Sequence, residues 1–126
     1  MGTLMFGLRM NEGWKVKAFN ALEPDGALGA TPKNVSLSSA KFGGYFVNGT
    51  TTDVFIQVFE KEASQVTLGV TKPKFVFRVP DSTAEPANDK LEMSHGITMS
   101  AISVAATTTE TGASAAAPTG VYILYS

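Results

Sequence analysis

Three apolar runs follow one another between Lys41 and Val79 with no helix pattern between them, and this constrains the fold more than any other part of the chain. Val54, Ile56 and Val58 alternate with Phe55, Gln57 and Phe59, and Phe75, Phe77 and Val79 alternate with Lys74, Val76 and Arg78. A period of two puts successive side chains on opposite faces of an extended backbone, so both runs read as strands. The first run carries Phe42, Tyr45, Phe46 and Val47 around Gly43-Gly44, and adjacent glycines inside a strand predict a bulge or a close backbone approach. The run 53–60 is apolar on both faces, which predicts a central strand or one whose outer face meets a partner. Asn48-Gly49-Thr50-Thr51-Thr52 lies between two apolar runs and predicts a hairpin that pairs 42–47 with 53–60.

The rest of the chain follows the same rule. Trp14, Val16 and Ala18 alternate with Lys15 and Lys17, a short strand with one wet face, and Phe19 breaks the polar row. Pro24-Asp25-Gly26, Gly29 and Pro32 make residues 20–33 a turn-rich connection, after which Val35, Leu37 and Ser39 share a face. Residues 61–73 turn the chain, and 81–89 form a polar loop. Leu91, Met93, Ile97, Met99 and Ala101 are followed by a change of phase to Ile102, Val104 and Ala106, which predicts a bulge. Ala105–Gly120 is of low complexity and reads as a long flexible connection, with room for a short alanine helix at 113–117. Val121, Ile123 and Tyr125 form a last strand. Six to eight strands without a convincing helix predict an all-β antiparallel sandwich, jelly-roll-like, or a small barrel. Residues 34–126 form its body, and 1–33 an N-terminal arm or a first strand with its connection.

Composition narrows the partners. A net charge of −1 gives no broad positive field, so nucleic acid is not expected, and no apolar run approaches the length of a membrane span. The N-terminus has no basic region ahead of an apolar stretch, so a secretory signal is not expected either. The absence of cysteine removes disulfides and thiolate metal sites. Charged residues make up only 17% of the chain, a weakly charged surface of the kind that copies of the same protein or a partner cover.

Candidate chemistry is sparse. His95 is the single histidine, lies in no Gly-x-Ser-x-Gly setting and reads as a turn or surface residue. Glu60 and Glu62, and Asp81, Glu85 and Asp89, could form carboxylate pairs, and Asp81, Asn88 and Asp89 could offer oxygen to calcium, but solvated loop charges are the simpler reading. No phosphate-binding or dinucleotide glycine pattern is present, and no cofactor is expected. Asn34-Val35-Ser36 and Asn48-Gly49-Thr50 match the glycosylation tripeptide. Trp14, Tyr45, Tyr122 and Tyr125 could stack on sugar rings, whereas alternating strand phenylalanines belong in a core. Phe6, Trp14 and Phe19 are large apolar residues without a complete strand pattern to house them, and they are the candidate partner interface. Trp14 either plugs one end of the sandwich or anchors a neighbour.

Gly44-Tyr45-Phe46-Val47-Asn48, Asp53-Val54-Phe55-Ile56-Gln57-Val58-Phe59-Glu60 and the segment from Val66 to Pro80, through Gly69 and Pro73 to Phe75-Val76-Phe77-Arg78-Val79, resemble small structural proteins of tailed bacteriophages. The similarity continues through His95-Gly96-Ile97, the Ala/Thr-rich stretch and Val121-Tyr122-Ile123-Leu124-Tyr125, about residues 35–126 in all. It implies a non-enzymatic virion component with a β-sandwich body, a capsid decoration or cement protein assembled in the bacterial host cytoplasm. The expected partners are copies of itself, most simply a homotrimer, and the major capsid protein or another virion protein. The alternative is a tail-fibre or spike-type module contacting host surface glycan through loops such as 81–89 and 106–119.

Overall fold

The computed structural model describes residues 13–50, 53–80 and 87–126. Eight strands run in chain order: β1 Lys15–Asn20, β2 Lys33–Ser36, β3 Ala40–Thr50, β4 Val54–Phe59, β5 Phe75–Val79, β6 Ala87–Met99, β7 Ile102–Thr107 and β8 Gly120–Tyr125. They form two four-stranded sheets, β1-β8-β3-β6 and β2-β7-β4-β5, antiparallel throughout. β1 pairs with β8, β2 with β7, β3 with β6 and β4 with β5, so the chain is one long hairpin rolled up until β8 meets β3 and β7 meets β4. That is the jelly roll, and the predicted sandwich is the architecture observed. Among the described residues no helix is long and apolar enough to cross a membrane.

The predicted hairpin between 42–47 and 53–60 does not form. Asn48-Gly49 makes no turn: it lies inside β3, at a register shift against β6. β3 pairs with β6 and β8 while β4 pairs with β5 and β7, so the chain changes sheet between Thr50 and Val54. The phase change near Met99 has the same cause: β6 ends there, and Ser100-Ala101 leads into β7 of the opposite sheet. The alternative of a central strand for 53–60 is realised, since β4 lies between β7 and β5. β1 pairs along its length with β8, so the body of the sandwich begins well before residue 34.

Alternation sorts the residues. Val54, Ile56 and Val58 face Val79, Phe77 and Phe75 across one ladder, and all point into the core with Ile102, Val104 and Ala106 of β7. Phe42, Tyr45, Val47, Val121 and Ile123 supply the facing layer. Phe42 stacks on Phe75 and Phe77 with centroids 6.2 and 5.8 Å apart, and Tyr45 lies 5.1 Å from Phe77, an aromatic cluster that ties the sheets together. β1 reverses the expected sides. Lys17 and Phe19 lie opposite Ile123 and Val121 on the core face, and Lys17 escapes at the sheet edge to Asp25, 2.6 Å away.

Gly43-Gly44 does both things expected of it. Register shifts between Phe42 and Gly44 against both neighbouring strands, and Gly44 has φ +136°, which a side chain would strain. Opposite this step β6 carries extra residues, because Phe42 pairs with Ile97 and Gly44 with Glu92, leaving His95 and Gly96 in a wide bulge.

Candidate functional site

Four surfaces of the sandwich carry side chains that could do more than hold the fold. The first is the outer face of the β1-β8-β3-β6 sheet. Trp14, just ahead of β1, lays its indole across the sheet, where it packs with Phe46 and Leu124 against Val16 and Tyr122. The ring occupies the space that side chains on Gly43 and Gly96 would fill: a Cβ on Gly96 would lie 2.6 Å from the indole Cη2. Two glycines on two different strands thus form the seat of the tryptophan.

This placement corrects part of the predicted interface. Phe19 is fully enclosed in the chain's own core and Trp14 is 8% exposed, so neither is presented to a neighbour. Each lacked an obvious strand partner in the sequence because that partner, β8, lies a hundred residues on. Phe6 lies outside the described residues.

The second surface is the outer face of the other sheet, where Phe59, Gln57, Ser103, Ala105 and Thr107 are buried. Residues 108–119 fold over it as an ordered flap. Thr108 N–H donates to Ser114 O at 3.0 Å, Ala116 N–H to Ala106 O at 3.1 Å, and the Gln57 amide nitrogen to both Thr107 Oγ1 at 2.7 Å and Gly112 O at 3.1 Å. Gly69 comes alongside Ala113, so the 61–73 connection meets the flap. No helix forms at 113–117; its residues make bridges and hydrogen bonds instead. The outer apolar face of β4 is therefore covered by the chain itself, which removes it as a reason for self-association.

Within that covered face Gln57 Oε1 and Ser103 Oγ are buried without a hydrogen-bond partner. Turning the Gln57 amide over would point its oxygen at the Gly112 carbonyl, so the nitrogen is fixed where it is.

At the β4–β5 end of the sandwich, Glu60, Lys61, Lys72 and Lys74 surround an open cleft of about 540 Å³ floored by Phe59 and Pro73. Glu60 is a latch within it. Its carboxylate accepts the Ser100 N–H at 3.0 Å and lies 3.6 Å from Lys74, and the Ser100 amide first, then the lysine charge, hold its pKa below the usual carboxylate value. Asp25 is lowered likewise by the hydrogen bond and the charge of Lys17.

His95 is exposed in the β6 bulge, inside a strand rather than at its boundary. Among the described residues no three His, Asp or Glu come together as metal ligands. Asp81 and Glu85 lie outside those residues, and Asp89 is placed only by its backbone opposite Val47. Asn34, in a glycosylation tripeptide, is engaged internally: its Oδ1 accepts the Ala63 N–H at 2.8 Å and pins the start of the 61–73 connection.

The fourth surface is a hollow of about 270 Å³ at the end of the first sheet where β1, β3 and β8 come together, lined by Asn20, Ala21, Asn48, Thr119, Gly120 and Tyr122 with Leu22 at the rim. Of the aromatic residues singled out for sugar stacking, Tyr122 lies at this hollow. Asn20 and Thr119 gave no sequence signal and Asn48 gave only those of a turn and a glycosylation tripeptide, because the three lie far apart in the chain and the β1-β8-β3 strand order unites them. Compared with protein-family models, curated proteins and solved structures, the chain matches none.

Proposed function

We propose that this protein is a non-enzymatic structural component of a tailed-bacteriophage virion, a decoration or cement protein that stabilises the capsid through contacts with its own copies and with the major shell protein. The observation that carries the reading is the jelly-roll strand order, an architecture shared by viral capsid and lectin domains. The resemblance over residues 35–126 supports it independently.

Because the large apolar side chains on both outer faces are mostly covered from within, assembly falls to edges and loop tips. Among the described strands β6, 13 residues long, lies at the edge of its sheet with β3 on its one paired side. Its length offers another chain a row of backbone donors and acceptors. Leu37 at 63% and Val70 at 80% exposure are apolar side chains at loop tips suited to a neighbour. A homotrimer is the simplest arrangement that repeats such contacts around a symmetric shell.

Sedimentation of the purified protein tests the first half of this reading, with an oligomer expected in place of the 13.3 kDa chain. Incorporation into particles tests the second. A lysine pair at Leu37 and Val70 should reduce incorporation while the melting temperature stays unchanged. A monomer that never enters particles would overturn the proposal. Deletion of residues 1–12, which removes Phe6 and keeps Trp14 and β1, separates a docking role for the N-terminus from folding.

A further inference from the structure

We infer that the hollow between β1, β3 and β8 is a binding site for a neutral sugar ring. The inference does not rest on the virion reading, and it fails or stands without it.

Among the described residues no charged side chain lines the hollow, so none of them would compensate an ionic ligand for lost hydration. What lines it is one aromatic ring and the aliphatic Ala21 and Leu22, interspersed with a few amide and hydroxyl groups, a combination that matches a pyranose: C–H groups on the flat face of the sugar pack on an apolar wall, and hydroxyls that both donate and accept meet groups that do the same. At about 270 Å³ the space falls below the 300–1,000 Å³ typical of drug-sized ligands and suits a single ring at the end of a chain.

The polar groups are held in place before any ligand arrives. Asn20 Oδ1 accepts the Leu22 N–H at 2.9 Å, which locks the turn, and its Nδ2 donates to the Tyr122 hydroxyl at 3.3 Å. Tyr122 then has its own hydroxyl proton to donate into the hollow. Its ring is braced from behind by Phe46, with centroids 6.0 Å apart. Gly120 makes room for it: a Cβ there would lie 3.1 Å from both the ring Cε2 and the hydroxyl oxygen. Asn48 adds an amide on the opposite wall. The Asn20 turn also holds Leu22 outward, 94% exposed at the rim, where a large apolar side chain gains nothing from the protein itself but can close over a bound sugar.

The test is a ¹H–¹⁵N NMR titration of the intact chain with methyl glycosides of glucose, galactose, mannose and N-acetylglucosamine, and with methyl glucuronate as the charged control. Saturable shifts confined to the amides of residues 20–22, 48 and 119–122 are expected for at least one neutral glycoside, at millimolar affinity. Tyr122→Phe and Asn48→Ala should each weaken binding about tenfold, the loss of one hydrogen bond, with the rest of the spectrum unchanged. Gly120→Ala should displace the ring and weaken binding with both hydrogen-bonding side chains still present. The inference is overturned if no neutral glycoside gives saturable shifts, if the shifts map elsewhere, or if the glucuronate binds as tightly as its neutral counterpart.

Discussion

Two buried residues, Trp14 and Gln57, show how much single side chains carry in this fold. Trp14 closes one outer face, and its truncation to alanine should cost about 3–5 kcal/mol in urea denaturation, the range for buried aromatic truncation. Gly96→Ala should cost about 1–3 kcal/mol, because it meets the indole and also forces a side chain onto φ +70°. Gly13→Ala is the control: φ is +86° there but no atom lies within 4 Å of the added carbon, so only the backbone term remains. In the covered face of the other sheet, Gln57→Ala and Ser103→Ala should part company. The first leaves the Gly112 carbonyl without its donor and should lose about 1–3 kcal/mol, whereas the second removes an oxygen with no partner and should be close to neutral. A Ser103→Ala penalty equal to that of Gln57→Ala would show that the hydroxyl has a partner in solution.

At the scale of elements, period-two alternation identified the strands because it reports the local conformation of each segment. The core faces of β4 and β5 and the glycine bulge of β3 were legible for that reason. Pairing was not, since it depends on which strands meet. Asn48-Gly49 has the composition of a turn, yet its backbone stays in β3 and yields only a register shift against β6. Lys17 on the core side of β1 misled because its charge leaves through an open edge to Asp25. The hollow beside Tyr122 was illegible for a related reason: nothing in the sequence links Asn20, Asn48 and Thr119, which acquire a shared meaning side by side. The placement of β1 also makes a prediction. Deleting residues 1–19 removes most of an edge strand and the buried Phe19 and should unfold the domain, seen as loss of near-ultraviolet circular dichroism, while deleting 1–12 should not.

For the whole molecule, the acid limb of stability follows from Glu60 and Asp25. Both carboxylates have depressed pKa values when folded, so their contribution is present above the unfolded carboxylate range, about pH 4, and is lost as pH falls through the lower folded values. The melting temperature should therefore hold between neutrality and about pH 5 and decline below it, with Glu60→Gln flattening the decline. A midpoint that rises on acidification would contradict the latch at Ser100. Sharing one core, the two sheets should melt in one transition with coincident calorimetric and spectroscopic curves.

The rolled hairpin also sets a timetable for the chain as it is made. β8 is the last of the described strands to be synthesised, yet it sits inside its sheet between β1 and β3. At roughly 5–20 residues per second, β1 waits several seconds for β8, its partner among the described strands. During that interval the inner edge of β3 and the aromatic seat of Trp14 stand open on the nascent chain. A ribosome stalled before Gly120 should consequently hold a protease-sensitive polypeptide, and release of the last strand should convert it to a resistant one in a single step.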